Sequence, residues 1–117
     1  MVIRNRNYVP DTRDLIWLDF NPQAGHEQAG RRPAIVLSPG AYNDKASLAI
    51  VCPVTSQEKG YPFEVPLPRN LPISGVILAD HVKSVDWRVR RAEKAGRVPK
   101  HMVEEVLARV APLLGLS

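Results

Sequence analysis

The chain has a single cysteine, Cys52, so neither an internal disulfide nor a cysteine metal cluster can form, and a reducing cytoplasm suits it. Long apolar runs are missing too. The longest, Leu48 to Val54, falls far short of the ~18 residues a membrane span needs. The N-terminal "MVIRNRNYVPDTRD" has no apolar secretory region, so the expectation is a chain with neither an export signal nor a membrane partner. Catalytic signatures are equally scarce, with no GxxxxGK[ST] phosphate loop, no GxGxxG and no GxSxG. "HEQAG" opens like a zinc helix, but the fourth residue after His26 is Gly30 rather than a second histidine. The three histidines, His26, His81 and His101, lie in separate segments with no triad partner. No metal and no cofactor are expected.

What is present argues for one small, strand-rich domain. At 117 residues, 44% apolar and 24% charged, the chain can bury one core and is too short to split comfortably in two. Its 11 prolines are about twice the usual ~5% share and cut the apolar runs into short segments. The net charge of +4 is unevenly spread. From Lys83 to Lys100, seven basic residues face two acidic ones, a local +5 that leaves the rest of the chain at −1. Such a cluster fits either a phosphate-backbone or acidic-protein partner or a solvated surface.

"DLIWLDF" (Asp14 to Phe20) reads as a first strand and "RPAIVLSP" (Arg32 to Pro39) as a second, joined by a long hairpin loop. "GAYNDKAS" reads as a turn or one short helix, and "LAIVCPVT" as a strand buried on both faces. "PFEVPLP" alternates Phe63, Val65 and Leu67 against Glu64 and Pro66, with prolines that suit a sheet edge. "SGVILADHVKSVD" supplies one long or two consecutive strands bending near Asp80. Only the C-terminus has helical period, with Met102, Val103, Val106, Leu107, Val110, Leu113 and Leu114 on one stripe after Pro99. The predicted class is α+β, mainly β: a small barrel or half-barrel with a C-terminal helix packed on it.

The polar residues that remain cluster at strand ends: Glu27, Arg31 and Arg32 before the second strand, Thr55 and Ser56 after the third, and Lys59 in the turn that follows. If those two strands are antiparallel neighbours, Arg32 falls beside Thr55. A guanidinium fork and a hydroxyl together make a clamp for a phosphodiester. RNA brings its own nucleophile, the 2′-hydroxyl, so a ribonuclease needs only proton transfer and stabilisation of charge on the phosphate oxygens. Each residue also has an ordinary reading: Glu27 as a surface ion-pair partner of Arg31 or Arg32, Thr55 as a strand terminator, His26 as a solvated loop residue. Trp87 reads as core, although beside Arg88 and Arg90 it could also offer a ring and positive charge to a single strand.

Together "VPDTRDLIWLDFNPQAGHEQAGRRPAIVLSP", "YNDK", "CPVTSQEKGYPFEV" and "LADHVKSVDWRVR" resemble the MazF family of endoribonuclease toxins, the mRNA interferases of bacterial toxin-antitoxin pairs, from about Tyr8 to the C-terminus. The resemblance implies a single domain over 1–117, an SH3-like β-barrel with a C-terminal helix, a homodimer, and metal-independent cleavage of single-stranded RNA (mRNA) to a 2′,3′-cyclic phosphate and a 5′-hydroxyl. The family's functional arginine falls on Arg32, its glutamate on Glu27 and its strand-end hydroxyl on Thr55. Lys59, Lys83 and Arg90 are the implied RNA-contacting cations, with Arg31, Ser56, His81 and Arg88 as further RNA-binding positions. A cognate acidic antitoxin of the MazE kind is the implied protein partner, and operator DNA would be reached only through it. Two departures, His81 where close relatives often carry glutamine and Arg31 at a position that varies among them, bear on which bases are read.

Arg32 is assigned to transition-state stabilisation and Thr55 to hydrogen-bond donation. Glu27, beside two guanidinium groups, is a weak base and either orients Arg32 or accepts a proton. The acid for the leaving group is unassigned. Two other functions compete, a non-catalytic gyrase-poisoning toxin and a plain RNA-binding barrel of the same fold.

Overall fold

The computed structural model describes residues 7–20 and 30–116. In chain order these form β1 (Asp14–Phe20), β2 (Gly30–Val36), the short helix α1 (Gly40–Ala46), β3 (Ala49–Thr55), β4 (Glu64–Pro66), β5 (Val76–Leu78), a 3₁₀ turn (Ala79–His81), β6 (Lys83–Val85), β7 (Glu93–Arg97) and α2 (Lys100–Leu113). The strands make one sheet in the order β4-β5-β3-β2-β1-β7, with β6 also on β3. Every pairing is antiparallel. Among the described residues the sheet ends on β4 and β7 and does not close, an open, barrel-like arrangement compatible with the SH3-like expectation.

Alternation along β1, β2 and β3 builds a core on each face. Leu15, Ile35, Cys52 and Val54 point one way, onto Met102, Val103, Val106 and Val110 of α2. Ile16, Leu18, Phe20, Ala34, Val36, Ala49 and Val51 point the other way, and Val85 and Trp87 complete that second cluster. Two buried faces explain why "LAIVCPVT" is nearly continuous in apolar residues from Val51 on; at its start Leu48 and Ile50 are exposed, contrary to the sequence expectation. Pro53 lies in β3 between the stretch paired with β6 and the stretch paired with β5, where a missing N–H is tolerated. Fully buried Asn43 joins α1 to the body: its amide donates to the Pro10 carbonyl at 2.7 Å and its carbonyl accepts from Ser38 at 2.6 Å. Trp87 Nε1 donates to the Asn43 backbone carbonyl at 2.9 Å, so the ring is core.

Three differences from the sequence reading are physical. The second strand runs Gly30–Val36 rather than reaching Pro39, because the chain turns into α1 after Leu37. β7, "EKAGR", has no apolar alternation; it is an edge strand made by pairing with β1. Leu107, Leu113 and Leu114, placed on the helical stripe, are exposed, and the covered face of α2 is limited to Met102, Val103, Val106 and Val110.

Candidate active site

The end of β1, the start of β2 and the end of β3 meet at one end of the sheet. Ala34 stands opposite Pro53 and Val36 opposite Val51, where the described β2–β3 pairing ends; Arg32, two residues before Ala34, shares its face of β2, is exposed, and is not among the residues lining the cleft on that face. Thr55 is paired in turn with Val76 on β5, and Leu78 with Glu64 on β4. The face carrying Arg32 therefore continues through Thr55 and Leu78 to Glu64.

On that face a cleft of about 360 Å³ is lined by Thr55, Gln57, Lys59, Tyr61, Glu64, Leu78, Asp80 and His81. Three of the sequence-predicted residues, Thr55, Lys59 and His81, are gathered here from two loops and a strand end. Thr55 Oγ1 accepts from the Gln57 amide at 3.2 Å, which leaves its own hydrogen to donate outward. His81 stands 4.0 Å from the Asp80 carboxylate. Ser56 follows Thr55 and is exposed. Glu27 and His26 lie outside the described residues.

The other cations are placed differently. Lys83 Nζ sits 4.6 Å from the centre of the Phe20 ring, at the end of β1. Arg90 donates to the Asp19 carbonyl at 3.0 Å. Arg31 is on the opposite face of β2 from Arg32. Its guanidinium bonds Asp19 at 2.9 Å, Glu93 at 2.6 Å and the Arg91 carbonyl at 2.9 Å. Arg91 reaches the other oxygen of Asp19 at 2.5 Å, and the bonds from Arg91 and Arg31 pull the Asp19 carboxyl down to about 2. Arg88 lies 4.1 Å from the Trp87 ring and turns to Asp44 at 3.2 Å. Among the described residues, no three histidine, cysteine or acidic side chains are grouped to hold a metal ion.

Gln57, Tyr61, Glu64 and Asp80 are cleft residues that the sequence reading did not single out. Glu64 was hardest to find: alternation sends it outward with Pro66, yet it is only 8% exposed. Its signal was its place in "KGYPFEV", four residues after a glycine whose φ of +80° bends the turn back towards it.

Comparison with known proteins places the chain's sequence and fold. A sequence model of the PemK-like, MazF-like toxins of type II toxin-antitoxin systems matches residues 11–114. The chain is 51% identical over 108 residues to the endoribonuclease toxin MazF of Escherichia coli strain K12, covering 92% of this chain and 96% of that one. Crystallised MazF from Deinococcus radiodurans superposes with a TM-score of 0.90 at 58% identity, covering 94% of this chain and all of the other. MazF in a MazE-MazF complex from the same organism gives 0.85 at 52% identity over 95% of this chain.

Proposed function

The chain belongs to the PemK-like, MazF-like toxin family of type II toxin-antitoxin systems and is an endoribonuclease toxin; from that premise we propose that it cleaves single-stranded RNA by transesterification, without a metal ion, at the cleft that begins at Thr55. The 2′-oxygen of one ribose attacks the adjacent phosphorus, the bond from phosphorus to the 5′-oxygen breaks, and the products are a 2′,3′-cyclic phosphate and a 5′-hydroxyl. One proton leaves the 2′-hydroxyl and one is delivered to the 5′-oxygen. Arg32 is the fixed positive charge for the non-bridging oxygens and Thr55 donates a hydrogen bond beside it. Glu27 orients Arg32 or takes the proton from the 2′-hydroxyl. Lys59 and His81 line the path of the strand, with Lys83 and Arg90 adding positive charge at the end of β1.

The observation that supports this reading is the cleft itself, which opens at Thr55 at the end of β3, on the sheet face to which the alternation of β2 also assigns Arg32. An acidic antitoxin tail is the partner suited to the basic segment from Lys83 to Lys100, and the Deinococcus relative has been crystallised with MazE. The exposed Leu107 and Leu113 of α2, with Leu114 just beyond it, support a homodimer; a cytoplasmic location is part of the same proposal, since the proposed substrate is mRNA. Incubating the protein with single-stranded RNA in EDTA is the direct test: 5′-hydroxyl and cyclic-phosphate ends are expected. Arg32→Ala should lose at least ~10²-fold in rate while keeping its thermal stability and dimer. Intact RNA across varied sequences, or full activity in that variant, would refute the proposal.

A further inference from the structure

The segment between β3 and β4 supplies Gln57, Lys59 and Tyr61 to the cleft, yet every residue from Ser56 to Pro62 is exposed. No apolar side chain of that stretch is buried, so packing does not fix its course. Hydrogen bonds to Glu64 do. Its Oε1 accepts from the Gly60 amide at 2.8 Å and from the Lys59 and Tyr61 amides at 3.2 Å each, and Oε2 accepts from Lys59 at 3.1 Å. Three successive N–H groups converging on one anion form a backbone nest, with Gly60 supplying the left-handed residue. The Glu64 amide closes the turn by donating to the Tyr61 carbonyl at 3.1 Å. The remaining described ties hold only the ends: Gln57 to Thr55 Oγ1, and Arg109 Nε to the Pro62 carbonyl at 3.0 Å. Glu64 itself is anchored, opposite Leu78 in the sheet, next to Phe63, whose carbonyl accepts from Ala79 at 3.0 Å.

Resting on the reading of this cleft as the RNA site, we propose that Glu64 is a positioning residue for RNA binding. Its carboxylate holds the 59–61 turn so that Lys59 and Tyr61 form a standing wall of the cleft. Thr55 and Arg32 are fixed by β3 and β2 instead, so the loss of this tether acts on binding rather than on bond breaking. Glu64→Gln keeps the size of the side chain but leaves one acceptor oxygen, and an NH₂ facing N–H donors. Glu64→Asp keeps the charge and falls one methylene short.

Steady-state kinetics on a single-stranded RNA oligonucleotide and amide hydrogen exchange over residues 57–63 test the proposal together. Glu64→Gln should raise KM about tenfold, equivalent to about 1.4 kcal/mol, with kcat within about twofold. Lys59, Gly60 and Tyr61 amides should exchange at least about tenfold faster while β3 is unchanged. Glu64→Asp should recover part of the KM. Lys59→Ala, which alters only an exposed side chain, should also raise KM, and combined with Glu64→Gln it should fall short of the product of the two effects. Unchanged KM, a loss confined to kcat, or unchanged exchange at 59–61 in an otherwise active protein would overturn the proposal alone. A wild-type protein that leaves RNA intact would overturn the reading of the cleft and this proposal with it, whatever the exchange data say about the turn.

Discussion

Gly75 is the residue whose replacement should most directly couple the fold to the site. It precedes β5, its φ is +133°, and a Cβ built on it would stand 2.2 Å from the Thr55 carbonyl oxygen and 2.9 Å from its carbon. Both are backbone atoms and cannot rotate aside, so Gly75→Ala must push the end of β3 from the start of β5 by about 0.8 Å to reach even the 3.0 Å floor for such contacts. A non-glycine residue in that conformation costs ~1–3 kcal/mol, and disturbing the pairing of Thr55 with Val76 costs about 1 kcal/mol more. A loss of about 2–4 kcal/mol follows, or roughly 8–16 °C in Tm at ~4 °C per kcal/mol. Because the displaced residue is Thr55, RNA cleavage measured well below the new Tm should fall by up to ~10²-fold. Gly115→Ala is the control: its φ is +80°, but nothing lies within 4 Å of the added methyl and it lies beyond α2, away from the cleft, so only conformational strain of about 1 kcal/mol applies. Urea unfolding followed by tryptophan fluorescence and a single-turnover cleavage assay decide the matter. A Gly75→Ala protein within 0.5 kcal/mol of wild type and equally active would refute the reasoning.

Two further outcomes are expected. Asp19 is held at about 2 in the folded protein by Arg91 and Arg31, below its ordinary 3.8, so its contribution is present above about pH 4 and is lost as the pH falls through 2. Asp19→Asn should lower Tm by on the order of a few degrees at pH 7, and thermal melts of the two proteins should converge between pH 4 and pH 2; a constant gap through that window would remove the assignment. The Cys52 thiol is pushed up to about 12, first by burial and then by the charge of Asp80. It should resist a thiol reagent at pH 8 until the protein unfolds, and rapid stoichiometric labelling of the native protein would show that the core is open.

Legibility in the sequence followed the strength of the hydrophobic period. β1 was read to its observed bounds because apolar residues there fill both faces, and α2 was read from its three- and four-residue spacing. β7 escaped because its pairing needs only backbone groups. Its lysine and arginine side chains serve another purpose: Lys94 and Arg97 each stand 3.7 Å from the buried Asp14 carboxylate. In the site, the shared face of Arg32 and Thr55 was legible because antiparallel neighbours in this register put both on one side of the sheet. The Lys59–Tyr61 wall was not, because its course depends on one carboxylate that alternation assigned to solvent.

The adjacent arginines show how the core decides which way each guanidinium faces. Successive strand residues face opposite ways, so Arg31 and Arg32 cannot share a task. Arg31 stands opposite Asp19 and stitches β2 to β7 across β1 through Asp19 and Glu93. Arg32 shares its face with Ala34 and Val36, the face on which Thr55 opens the cleft. Nothing in the charges of the two side chains chooses between these positions. The choice is made at Ile35, packed towards α2, and at Ala34 and Val36, packed towards Val51 and Trp87. A slip of one residue would turn all of those side chains to the wrong core and exchange the two guanidinium groups. The buried residues of β2 therefore set which arginine shares the face of Thr55, and the cost of exposing them holds that setting.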